Sequence, residues 1–305
     1  MSIPIFTVLT RQERRRAHQL TFLGGRRRWR WRVVGNTTRR PPPGISPHCA
    51  APRNGTDDND EERRFEDGLA FIHVSKAGGT SVRRLLSNLA AACGYRAYTA
   101  EYPKWRDLPE STRSEVRVYG GSNHLGYADL LQTWPSSPGE RDGKNGHANK
   151  AFVTQLRHPW DRAASDYHYA LALGTIHHLY ELTQRMNETE WIRNTTDGKL
   201  VSYFGSDLEE AKDVLRGRFA AVGLVEEPVK SLEVLRCRVP WIRRALEADT
   251  PLLAAGLPHE NRRMEEYSGS RDEGAARALF PLDFELYRFA RDLLFERHAD
   301  CARRG

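Results

Sequence analysis

Eleven consecutive residues, Phe71-Ile-His-Val-Ser-Lys-Ala-Gly-Gly-Thr-Ser81, carry the densest chemistry in this chain. An apolar run delivers the backbone into a glycine turn, and glycine lets amide N–H groups approach an anion closely. A helix opening near Thr80 would aim its positive end at the same point. Lys76 adds a mobile ammonium, and Thr80 and Ser81 add hydroxyl donors. Together these residue types describe a cradle for a phosphate-like group. The order is not that of a Walker A loop, because Lys76 precedes Gly78 and Gly79 instead of following them. No apolar run beside it ends in a Walker-B-like acid, which argues against an NTPase or an ordinary kinase. In a second segment, Phe152–Tyr169, an apolar run ends at Arg157 and Ser165 falls on the second turn of a helix opened by Pro159. From those positions Arg157 and Ser165 could hold a second phosphate.

Positioning these groups requires strands that end at one edge. Leu69–Val74, Val116–Tyr119, Ala151–Leu156 and Phe219–Leu224 read as short buried strands. Between them lie helical patterns, Thr80–Cys93 with Val82, Leu85, Leu86 and Leu89 on one face, then Pro159–Leu173. Further helices are expected over 228–236, 240–248 and 282–297. Strands alternating with helices imply an α/β domain, a central parallel sheet flanked by helices, whose ligands bind at the carboxyl ends of the strands. His73 lies inside the first predicted strand and reads as a packing residue. Residues 134–150 read as a loop, and the chain has no internal repeat.

Composition bounds the reading further. The chain has 305 residues, 39% of them hydrophobic, which suffices for a real core. No stretch approaches the ~18 consecutive apolar residues of a membrane span. Residues 1–53 hold twelve arginines, no lysine and one acid, Glu13. The net charge of +7 therefore belongs to this stretch, and the remainder is mildly acidic. Residues 1–68 read as a disordered basic leader and 69–300 as the folded domain. The apolar run Ile3–Leu9 is too short for a signal anchor. Cys49, Cys93, Cys237 and Cys301 form no CxxC pair and have no histidine at zinc spacing, so no metal is expected. Sequons at Asn36, Asn54, Asn187 and Asn194 exceed chance and point to a secretory lumen and a glycoprotein.

The two anchor segments, in this order and about 80 residues apart, resemble those of sulfotransferases that use 3′-phosphoadenosine-5′-phosphosulfate (PAPS). The Golgi carbohydrate O-sulfotransferases, heparan sulfate 2-O-sulfotransferases among them, are the most similar group. They read PKTGGTS where this chain has Ser75–Ser81, and RDPxxRxxSxYY where it has Arg157–Tyr167. Val222–Glu227, Pro258–Asn261 and Asp283–Ala290 also look like family segments, and the resemblance spans residues 69–298. It implies a P-loop-like three-layer fold and no metal. Lys76, Ala77, Gly78, Gly79, Thr80 and Ser81 would wrap the 5′-phosphosulfate, with Lys76 also stabilising the leaving group. Arg157 and Ser165 would bind the 3′-phosphate. His124, in a Gly120–Tyr127 stretch similar to the family's GHxxY segment, would be the base, and His259 and Asn261 would close over the nucleotide. The sequence departs from the pattern at Ser75 and Ala77. His158 stands where an aspartate is frequent, and Ser122 where some relatives carry a second histidine. The last departure weakens the case for a uronic-acid acceptor.

The resemblance implies sulfuryl transfer to a carbohydrate hydroxyl, on a glycosaminoglycan-like polysaccharide acceptor, in the Golgi lumen or at its membrane, with no nucleic-acid partner. Two alternatives stay open. The same donor could serve a phenol, lipid or other small acceptor. Otherwise the chain would be a non-catalytic nucleotide- or polyanion-binding protein that uses its arginine-rich leader.

Overall fold

The computed structural model describes residues 49, 68–100, 104–121, 124–134, 150–248 and 273–304. The leader apart from Cys49 and the loop over 135–149 lie outside the described residues, as do Ser122, His259 and Asn261. Five parallel strands form one sheet in the order β2-β3-β1-β4-β5. They are β1 (Gly68–Ile72), β2 (Ala97–Tyr98), β3 (Val118–Tyr119), β4 (Lys150–Leu156) and β5 (Phe219–Leu224). Every residue of β1, β4 and β5 is buried. This is why they read as continuous apolar runs, without the alternation of a sheet that has one wet face.

The main helices are α1 (Gly79–Cys93), α2 (Tyr127–Thr133), α3 (Pro159–Leu173), α4 (Glu188–Asn194), α5 (Leu208–Arg218), α6 (Pro228–Arg238), α7 (Pro240–Ala248) and α8 (Pro281–Arg304). The apolar stripe expected on α1 is buried at Val82, Leu85, Leu86 and Leu89. The fold is therefore α/β around a parallel sheet, as the alternation of patterns implies. From β1 the chain turns toward β2 and β3, whereas from β4 it turns toward β5. The loops after these two neighbouring strands diverge, and such a switch point leaves a crevice at the carboxyl edge.

α3 carries Arg162, which is fully buried and lies 3.7 Å from the equally buried Asp283 of α8. Asp283 Oδ1 also accepts hydrogen bonds from the amides of Leu200 and Val201. Burial pushes the Asp283 carboxyl up to about 6, against the pull of Arg162. At the far end of α8, Arg297 donates to the carbonyls of Leu215 and Arg216, in the last turn of α5 where carbonyls lack helical partners, and to that of Ala220 in β5.

All four cysteines are paired, Cys49 with Cys93 and Cys237 with Cys301. The first bond ties residue 49, inside the stretch read as leader, to the last residue of α1; the second joins α6 to α8. Replacing Cys237 and Cys301 together with serine is expected to cost about 2–5 kcal/mol of stability. The measurement is a thermal midpoint with and without reductant. Reductant should lower the wild-type midpoint further than the double substitution does, because it also opens Cys49–Cys93. Among the described residues no helix is long and apolar enough to cross a membrane.

Candidate active site

β1 ends at Ile72, two residues earlier than the sequence pattern implies, so His73 stands just outside the strand. The correction matters because its ring leaves the sheet to fill a space beside the glycine loop. A Cβ on Gly79 would overlap the His73 ring, and one on Gly121 would press on its Cβ. The absence of side chains at these two glycines is what lets the ring in. His73 is 8% exposed, and burial first, then the neighbouring His124, pushes its imidazole down to about 3. At neutral pH it is an uncharged aromatic ring.

After His73 the chain makes the turn expected from its glycines. Lys76 has φ +64° and Gly78 φ +70°, both in the left-handed region, so the backbone doubles back before α1 begins at Gly79. The Ala77 amide donates to the Val74 carbonyl, and that of Ser75 to the phenol oxygen of Tyr203. The first amides of α1, on Gly79 and Thr80, have no partner within the helix, and Thr80 is exposed. Ser81 is half-buried one position further on.

Arg157 follows the last residue of β4, the strand hydrogen-bonded to β1, and its charge acts on Lys76. Burial, and then Arg157, pulls the Lys76 ammonium down to about 8, against the opposing effect of Asp166. The Lys76 Nζ lies 3.4 Å from the centre of the Tyr169 ring. Ser165 is buried on α3. The frequent aspartate after the arginine is replaced by His158, but a carboxylate still reaches this loop, since Glu226 Oε1 accepts the His158 amide at 2.9 Å. His158 itself is buried edge-on against Phe284 and Tyr287.

His124, exposed and with φ +50°, comes from the segment after β3. Its ring lies 4.4 Å from the His73 ring, and its Nδ1 is 3.1 Å from the His73 carbonyl. A carbonyl can only accept, so Nδ1 carries the proton in the neutral ring and Nε2 keeps a lone pair. That tautomer suits a general base.

The structure thus brings Lys76, Arg157, His73 and His124 to one edge of the sheet. Four neighbours were not singled out from the sequence, namely Asp166, Tyr169, His177 and Gln155. Gln155 is the penultimate residue of β4 and 6% exposed; its Oε1 has no hydrogen-bond partner, and its amide lies under Gly78. A polar side chain inside an apolar strand run is a signal that could have found it. No family model matches the chain, and no curated protein matches it. Among the described residues no group of His, Cys, Asp and Glu is arranged to hold a metal ion.

Proposed function

We propose that this protein is a P-loop-like, three-layer sulfotransferase that moves the sulfuryl group of PAPS to a carbohydrate hydroxyl. The observation that carries the reading is the convergence of Lys76 and Arg157 from adjacent strand ends. A glycine turn, a helix start and two cations at one crevice suit a ligand with two separated anionic groups.

Bound PAPS supplies the sulfuryl group, whose bond to the 5′-phosphate oxygen breaks, with the electron pair leaving on phosphate, as the acceptor oxygen bonds to sulfur. Lys76 neutralises the charge that develops on that phosphate oxygen. Gly78, Gly79, Thr80, Ser81 and Ala77 hold the 5′ end through backbone and hydroxyl donors, and Arg157 and Ser165 hold the 3′-phosphate. His124 takes the acceptor's proton on Nε2, in the tautomer favoured by the His73 carbonyl. Two disulfides and the exposed sequons at Asn187 and Asn194 support a secretory, Golgi-like compartment.

The test is transfer of labelled sulfate from PAPS to a panel of oligosaccharides and small hydroxyl acceptors, alongside protection against heat by 3′-phosphoadenosine-5′-phosphate (PAP). Label in a sugar supports the reading. Label only in a phenol or lipid moves it to the small-acceptor alternative, and absence of both transfer and protection rejects it. Affinity for PAP should also depend on pH. Lys76 loses its proton as pH rises through about 8, so affinity should fall above that value. Lys76→Arg should abolish the fall, because guanidinium stays charged.

A further inference from the structure

Lys76 is also the meeting point of a second group of side chains. Asp166 and Tyr169 lie three residues apart on α3 and so share a face. Gly174, with φ +60°, ends that helix, and the turn Gly174–Ile176 brings His177 back beside it. The Tyr169 ring meets His177 edge to face at 5.6 Å, and the His178 ring lies tilted beside that of His177 at 4.7 Å. Tyr169 is 45% exposed although it touches the candidate catalytic lysine, and Ile176, next to His177 in sequence, is 83% exposed.

The charges in this group are distinctive. The Asp166 carboxylate acts on both Lys76 and His177. Burial, then His178, lowers the His177 pKa, so the ring is mainly a neutral donor and acceptor. The cation that acts on this group, Lys76, is one of those assigned to the donor.

We infer that Asp166, Tyr169 and His177 form the acceptor subsite, and that it selects an uncharged sugar ring over a uronate-bearing chain. The inference rests on the sulfotransferase reading and narrows its acceptor class. A half-exposed aromatic face offers an apolar platform for the C–H face of a pyranose. Asp166 accepts hydroxyl hydrogen bonds, and a neutral imidazole accepts or donates them. A uronate carboxylate brought beside Asp166 would face a like charge, which recognition sites use to reject wrong partners.

The experiment offers labelled PAPS with two oligosaccharides in competition, one neutral and galactose-terminated, the other an unsulfated glucuronate polymer fragment. Wild type should favour the neutral acceptor by about tenfold or more in kcat/KM, and Asp166→Asn should shrink that preference by about tenfold. Tyr169→Ala should raise KM for the neutral acceptor, while Tyr169→Phe, which keeps the ring, should restore it. A wild-type preference for the uronate chain, or an unchanged ratio in Asp166→Asn, overturns the inference. Heat protection by PAP with transfer to neither sugar also overturns it, but leaves donor binding standing. Loss of protection and transfer together removes the underlying sulfotransferase reading and the inference with it.

Discussion

Replacing His124 with alanine is expected to slow sulfuryl transfer by about 10²–10⁴-fold and to leave heat protection by PAP intact. Lys76→Ala should lose both, with transfer falling by about 10²–10³-fold or more, because the lysine serves binding and leaving-group stabilisation alike. The contrast follows from position. His124 is exposed and touches the site through the His73 carbonyl and ring, outside the glycine turn. Lys76 lies inside the turn and shares a field with Arg157. Single-turnover transfer and thermal shift, measured on the same preparations, separate the two effects. A wild-type rate in His124→Ala would sink its assignment as base and make His177, an imidazole on which Lys76 acts, the residue to test next.

Arg162→Leu is expected to cost about 3–5 kcal/mol of stability, since it leaves the Asp283 carboxylate buried without its partner. The loss should depend on pH in a definite direction. The folded-state pKa of Asp283 lies above its ordinary value of 3.8, so the stability linked to this group is fully present below about pH 4. It is lost as pH rises through about 6. Removing Arg162 takes away a pull that favours the carboxylate, so the variant should lose more at pH 7.5 than at pH 5. Urea unfolding at the two pH values checks this, and equal losses would show that packing alone accounts for the effect. The damage should also reach the site. Asp283 holds the amides of Leu200 and Val201 at the start of the turn whose Tyr203 oxygen accepts the Ser75 amide in the glycine loop.

The elements that a sequence reader can find are those whose signals are local. Proline at the first turn and glycine after Leu173 mark α3 to the residue. Five apolar residues within Phe219–Leu224, following the charged stretch that ends at Arg218, mark β5 equally well. β2 is two half-buried residues held by pairing with β3, too short for any pattern. α5 went unread because it buries only Ala211 and Leu215, so the charged run Leu208–Arg218 has no apolar stripe. At the site, the glycine turn, Lys76 and Arg157 were legible because strand–turn–helix order fixes where they go. Asp166, Tyr169 and His177 were not. Their relation to Lys76 depends on its left-handed backbone and on how α3 ends, and no spacing rule encodes either. His73 was placed in a strand because Val74 continues the apolar run, whereas sheet pairing stops at Ile72.

The His73 ring occupies the room left by the missing side chains of Gly79 and Gly121, and its carbonyl engages His124. Two segments distant in sequence, 73–79 and 121–124, are thereby keyed together like the tumblers of a lock. Such a site cannot drift one residue at a time. A methyl group at Gly79 would displace the ring and, with it, the imidazole that depends on the ring's backbone. On the proposed reading, a lineage that altered Gly79 would have to reposition His124 in the same step.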